Sequence, residues 1–331
     1  MNTDTLVSSV NRVDLAVRVR DVTKTFDDVH ALGGVSFSVP SGTVLGILGP
    51  NGAGKTTLID ILCTLLPPDG GTAEVAGHDV VTDGAAVRSA ISMTGQYAAL
   101  DETLCGRDNL IFFGRMQGLR RKSAVRRAEQ LLERFDLTHA GNRPVYAYSG
   151  GMRRRLDIAC GLVVAPSIVF LDEPTTGLDP RSRQAVWNLV ESLKADGITT
   201  LLTTQYLEEA DRLSDNIIVL DRGRIVAEGS AEELKQRVGG TYCAATLADP
   251  AQATALCSRL REGMGPDHRV AVGLDSVVTL QALDGVDTMA AVIAIAQDAG
   301  IALTDVGLRS PSLDDVFMTL TGDPATTNSA P

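Results

Sequence analysis

The stretch Gly49-Pro50-Asn51-Gly52-Ala53-Gly54-Lys55-Thr56-Thr57 restricts what this chain can fold into more than any other. Before it runs Thr43-Val44-Leu45-Gly46-Ile47-Leu48, an apolar segment that reads as a buried strand. After it comes Leu58-Ile59-Asp60-Ile61-Leu62, which reads as the start of a helix. A strand, a glycine-rich loop and then Gly-Lys-Thr opening a helix is the setting in which a backbone cradles phosphates. The glycines let the chain turn its N–H groups inward, and the helix N-terminus adds partial positive charge. Lys55 supplies a point charge for β- and γ-phosphates, and the Thr56 hydroxyl suits Mg²⁺. The frame this requires is α/β.

A second feature agrees with the first. Ser167-Ile168-Val169-Phe170-Leu171 is an apolar run that ends in Asp172-Glu173-Pro174. It reads as a buried strand delivering two carboxylates to its C-terminal edge, where open α/β sheets bind ligands. Asp172 is the expected partner of the magnesium ion, and Glu173 is placed as the general base for an attacking water. Between the two features lies Tyr148-Ser149-Gly150-Gly151-Met152-Arg153-Arg154-Arg155. Ser149 is a helix cap there, and the two glycines would let a ligand approach the backbone. Phe26 offers a π-face to a base, or else a core ring.

Composition narrows the partners. With 41 acidic and 30 basic residues the formal net charge is -11, which argues against general nucleic-acid binding. The five cysteines include no C-x-x-C pair and the four histidines are scattered, so no zinc site and no disulfide framework is expected. Met1 to Val10 carries no apolar signal-peptide core. The longest apolar stretch, Ile158 to Leu171, is broken by Pro166 and Ser167 and is too short to cross a bilayer. Any membrane role is therefore expected to pass through a partner. Arg115, Arg120, Arg121, Lys122, Arg126 and Arg127 form a basic run. A solvated helix face is the favoured reading of it, with contact to a membrane partner or anionic headgroups as the other.

In their order these pieces resemble the ATP-binding cassette subunits of ABC transporters, over residues about 16 to 240. The resemblance implies a P-loop cassette with a mixed-sheet core, an antiparallel β subdomain and a helical subdomain. Gly49 to Thr57 matches the Walker A loop, Asp172-Glu173 Walker B with its catalytic glutamate, and Gly177-Leu178-Asp179 the D-loop. Gln96 matches the Q-loop position, a further magnesium contact. Ser149-Gly150-Gly151-Met152 resembles the family signature LSGGQ, with Tyr148 for leucine and Met152 for glutamine. Phe26 falls where these cassettes set an aromatic ring against adenine. Gln205 takes the switch position usually held by histidine; it can still bond to the γ-phosphate or water but cannot titrate near neutral pH.

Thr203 to Ala210, Tyr148 to Arg155 and Arg309 to Phe317 resemble the daunorubicin-resistance type of bacterial cassette. That type energises the export of hydrophobic drugs or lipids through a separate integral membrane permease. The resemblance implies ATP and Mg²⁺ as ligands and a homodimer of cassettes, each signature turn facing the ATP of the other copy. It also implies a peripheral position on the cytoplasmic face of the membrane. An importer cassette is the alternative; a soluble ABC ATPase acting on ribosomes is weaker, because those carry tandem cassettes, and no long heptad run supports a DNA-repair type. The expected domains are a flexible lead over 1–14, the cassette over 15–240 with its helical part at about 100–165, a small α+β accessory domain over 241–322, and a disordered tail over 323–331.

Overall fold

The computed structural model describes residues 14–95, 99–238, 241–265, 268, 270–273, 277–309, 312, 313 and 316. Gln96, the lead before Asp14 and the tail over 323–331 lie outside those residues. The chain divides into two compact units between Glu228 and Gly229. The boundary expected from the sequence lies later, after residue 240, so the helix over Ala231–Val238 falls in the second unit.

The first unit opens with two long strands, β1 (Leu15–Phe26) and β2 (Val29–Pro40), paired antiparallel. After β3 (Val44–Leu48) and α1 (Lys55–Leu62), β4 (Gly70–Val75) pairs antiparallel with β1, and β5 (His78–Asp79) pairs with β4. This sheet has the order β2-β1-β4-β5. Then come α2 (Gly84–Ala90), β6 (Ile91–Thr94), and the helices α3 (Gly106–Met116), α4 (Arg121–Arg134) and α5 (Gly150–Gly161). The unit continues with β7 (Ile168–Asp172), α6 (Pro180–Ala195), β8 (Thr199–Thr204), α7 (Leu207–Leu213), β9 (Asn216–Asp221) and β10 (Arg224–Gly229).

The second sheet has the order β10-β9-β3-β8-β7-β6, and β9, β3, β8, β7 and β6 run parallel. All five residues of β3 and all five of β7 are buried, as parallel strands covered on both faces require. Fully burying each such Val, Leu or Ile contributes about 1.5–3 kcal/mol. Between β9 and β10 the turn residues Arg222 and Gly223 both have positive φ, which suits the right-handed strand twist of a tight hairpin.

Two cores fill this unit. One joins Val17, Val19 and Val35 of the antiparallel sheet to Ile47, Leu58, Ile59 and Phe170. The other packs Leu110, Leu131, Leu132 and Leu156 of the helical part with Leu171, Val190 and Leu202. The basic run is mixed: Arg127 folds inward and donates to the carbonyls of Leu162 and Val163, 2.9 and 3.2 Å away, closing the end of α5. Arg115 donates to the Leu119 carbonyl, while Arg121 and Lys122 are exposed.

The second unit comprises α8 (Ala231–Val238), β11 (Tyr242–Leu247), α9 (Ala253–Met264), β12 (Val270–Val272), β13 (Val277–Gln281), α10 (Val286–Asp298) and β14 (Leu303–Arg309). Its strands form an antiparallel sheet, β12-β13-β11-β14. Cys243, Val278 and Leu280 of the sheet pack with Leu256, Leu260 and Val292 of the two helices. No helix among the described residues is long and apolar enough to cross a membrane.

Candidate active site

Strand order assembles the site. In the order β3-β8-β7 the strand leading into the glycine loop and the strand ending in carboxylates flank β8. Leu48 pairs with Thr204, and Asp172 with Thr203. Gly49, Gln205 and Glu173 each follow their strand by one residue and so emerge along one edge. The Gly49 N–H donates to the Thr204 carbonyl at 3.3 Å.

The loop needs its glycines for stated reasons. Gly52 and Gly54 have φ of 80° and 104°, backbone that only glycine enters freely. A Cβ on Gly49 would sit 2.3 Å from the Leu220 carbonyl oxygen, and one on Gly54 would sit 2.5 Å from that of Ala31. Gly54 caps α1, so Lys55, Thr56 and Thr57 are its first residues. The Ala53 N–H donates to the Pro50 carbonyl, tightening the turn. Asn51, Gly52, Gly54, Lys55, Thr56, Thr57 and Glu173 line a cavity of about 440 Å³ together with Val29, His30 and Ala31. A cavity of this size admits a small ligand.

Lys55 is 5% exposed. Its ammonium donates to the carbonyls of Gly49 and Pro50 at 2.8 and 3.1 Å and stands 3.4 Å from Glu173 Oε1. The Thr56 hydroxyl donates to Asp172 Oδ2 at 3.1 Å. The buried Thr203 hydroxyl donates to Asp172 Oδ1 and accepts the Glu173 N–H at 2.9 Å. Glu173 has φ of 45°, a left-handed conformation that costs a non-glycine residue about 1–2 kcal/mol. Its Oε2 accepts from the Thr176 hydroxyl at 3.1 Å.

Thr56 and Asp172 offer hard oxygen donors side by side, a set that fits Mg²⁺ and leaves most of the ion's shell to phosphate oxygens and water. Burial, reinforced by the charge of Asp172, pushes the Asp60 carboxyl up. Burial and then the Asp60 and Asp172 charges push up the Cys63 thiol.

The remaining positions are more dispersed. Ser149 caps α5 and accepts from the Met152 N–H at 3.3 Å. Gly151 also has a packing duty: a Cβ there would lie 2.2 Å from the Ser182 hydroxyl, so it allows close contact between α5 and α6. Gly150 is exposed, and Met152 packs partly into the helical core. Asp179 caps α6, accepting from the Ser182 hydroxyl and N–H at 2.6 and 3.0 Å. The Ser182 hydroxyl, more than the backbone N–H groups, holds its carboxyl below the usual range. Phe26 is 45% exposed at the end of β1, which removes the core reading. Its ring is not among the cavity's lining, although Val29 in the same hairpin is.

Three residues to which the sequence assigned no bracing role hold these groups in place. Thr203 holds Asp172 and Glu173 as described. Tyr148 is buried and donates to the Ala140 carbonyl at 2.7 Å, tying the turn before α5 to the helical core. Arg154 reaches three backbone carbonyls around β7. The pairing of β7 with β8 was the one signal that could have found Thr203, because it sets residue 203 opposite Asp172.

Comparison with known proteins agrees with this geometry. The family model for the ABC transporter matches residues 32–176. The doxorubicin resistance ATP-binding protein DrrA of Mycobacterium tuberculosis is 54% identical over 94% of this chain and 95% of its own. The Nod factor export ATP-binding protein I of Sinorhizobium fredii is 36% identical over 95% of this chain and 88% of its own. A dimeric, post-hydrolysis structure of the ATP-binding cassette MJ0796 bound to ADP and Pi superposes with a TM-score of 0.59. It is 25% identical and covers 65% of this chain and 98% of that one. A phosphate-cradling loop with an acidic strand end beside it, and relatives alike over nearly their whole length, place the chain in the ABC transporter family, as an ATPase cassette coupled to transport.

Proposed function

We propose that this chain drives export of hydrophobic drugs or lipids through a separate membrane permease, working as a homodimer of cassettes at the cytoplasmic face of the membrane. The observation that carries the catalytic part is the convergence of Lys55, Thr56, Asp172 and Glu173 at one sheet edge. The export part is supported by similarity across 94% and 95% of the chain to a doxorubicin resistance protein and to a Nod factor export protein.

In this reading the loop from Gly49 to Thr57 wraps the phosphates, and Lys55 turns its charge on the β- and γ-phosphates of ATP. Thr56 and Asp172 hold Mg²⁺, which when bound neutralises phosphate charge. Gln96 is assigned to the same shell. Glu173 accepts the proton of the attacking water, whose oxygen bonds to the γ-phosphorus as the bond to the β-γ bridging oxygen breaks; ADP and phosphate leave. Gln205 orients the water or γ-phosphate by hydrogen bonding and not by titration. Such catalysis is chiefly positioning and charge stabilisation. Phe26 stacks on adenine. Ser149, Gly150, Gly151 and Met152 meet the ATP held by the other copy, with Asp179 at the same junction. Each chain carries one set of motifs, so two copies complete two sites.

The test is doxorubicin uptake into inverted membrane vesicles carrying this chain and a cognate export permease. ATP-dependent accumulation that disappears with Glu173→Gln is the expected result. Accumulation equal in wild type and variant would overturn the reading.

A further inference from the structure

Arg154 is 8% exposed, and its side chain does not face the phosphate loop. It leaves α5 one turn after the Ser149 cap and spends its planar fork on backbone oxygens. Nε donates to the Pro174 carbonyl at 3.0 Å, one terminal nitrogen to the Asp172 carbonyl at 2.9 Å, and the other to the Gly95 carbonyl. Two of these acceptors flank Glu173. Between them the chain takes φ of 45° at Glu173, and from the other side Thr203 accepts the Glu173 N–H.

We infer that Arg154 is a positioning residue for Glu173: its guanidinium grips the carbonyls on either side of the left-handed residue and fixes the direction of the carboxylate. The inference rests on the reading of Glu173 as the general base. A strained backbone conformation persists where its surroundings over-determine it, and two guanidinium bonds with one hydroxyl bond do so here. The fork geometry matters, because an ammonium is a point donor and cannot hold both carbonyls in the same plane.

Asp157 completes the arrangement. It lies one turn further along α5, 3.9 Å from Arg154, and accepts the Ala99 N–H at 3.1 Å. Both groups are buried, so each charge needs the other and its backbone partners. A buried cation in this setting is costly unless fully hydrogen-bonded. Its bonds to Asp172 and Pro174 therefore tie the helix that begins at Ser149 to the strand end that carries Glu173.

The experiment uses the full-length chain and Mg-ATP, with Arg154→Lys and Arg154→Gln as variants. Arg154→Gln buries no cation and serves if the lysine variant does not fold. Arg155→Lys is the control: Arg155, on the same helix, donates to the Phe135 carbonyl at 2.8 Å and not to the backbone beside Glu173. The expected result is a fall in kcat of about tenfold or more, with KM and equilibrium ATP binding within about threefold of wild type. Arg155→Lys should keep its kcat even where its melting temperature falls. In a Glu173→Gln background the Arg154 substitution should cost little further in single-turnover rate, because its effect passes through Glu173. An unchanged kcat, a KM that rises in step with any loss, or an equal loss in both backgrounds would overturn the inference. Those outcomes are separable from failure of the underlying reading, which would appear as normal turnover in Glu173→Gln alone.

Discussion

Replacing Thr203 by valine removes one hydroxyl and keeps the branched shape. Thr203 is fully buried, and its hydroxyl serves two groups at once, the Asp172 carboxylate and the Glu173 N–H. A hydrogen bond to a charged group contributes about 1.5–3 kcal/mol, and a buried donor left unpaired costs about 1–3 kcal/mol. Relaxation recovers part of that sum, so the expected destabilisation is about 3 kcal/mol. For a unit of this size each kcal/mol shifts the melting temperature by about 2–4 °C, which predicts a fall of roughly 6–12 °C. Turnover should fall by about 10–100-fold, since the Asp172 carboxylate and the Glu173 backbone lose their shared brace. Thr203→Ser keeps the hydroxyl and should lose only about 1 kcal/mol for the missing methyl. The assay is a thermal melt and Mg-ATP turnover on wild type and both variants. Valine melting within 2 °C of wild type (roughly one kcal/mol or less) with normal turnover would refute the reasoning, as would serine behaving like valine.

Four further substitutions test other contacts in the molecule. Lys55→Ala should weaken equilibrium ATP binding and abolish turnover, because Lys55 is the cation aimed at the phosphate loop; wild-type affinity would contradict this. Gly151→Ala places a methyl 2.2 Å from the Ser182 hydroxyl, an overpacking that costs about 1–3 kcal/mol, and Ser182→Gly in the same chain should recover part of it. A melting temperature unchanged by Gly151→Ala would show that α5 and α6 separate freely. Glu209 is buried beside Trp187, whose indole N–H donates to it at 3.1 Å, and burial raises its pKa. The folded state therefore holds that proton more tightly, so this contribution is present at low pH and is lost as pH rises from the unfolded carboxylate range through the raised folded value. Glu209→Gln should flatten that part of the stability profile, measured by denaturant melts across acidic pH; an unaltered slope would count against the assignment.

The parts of the fold legible in the sequence were those written in local pattern. The apolar run before Gly49 and the one before Asp172 each became a fully buried parallel strand, because strand length, branching and flanking turn residues all agreed. Helix α2 went unread: Gly84-Ala85-Ala86 has low helix-start signal, and Val87 is its sole buried residue, so no apolar period exists. The site was legible where residue type is the chemistry, as at Lys55, Thr56, Asp172 and Glu173. It was not legible at Thr203, which acts only through the register of β7 with β8. Nor was it at Arg154, which sits in a run of three arginines whose members go to different places. Arg153 turns to the Tyr146 and Val145 carbonyls, Arg154 to β7 and Arg155 to the end of α4. The same limit applies to Gly151, where a motif glycine fits both a ligand and a neighbouring helix until the packing is seen.

The most direct test of the central claim is ATP hydrolysis by Glu173→Gln, measured with its equilibrium affinity for ATP. The substitution keeps the size of the side chain and its capacity to accept from Thr176, and removes the base. The account predicts ATP binding close to wild type with turnover reduced to a small residue. Wild-type turnover in this variant would contradict the account, because the proton of the attacking water would then be leaving by a route that does not involve the strand end at Asp172.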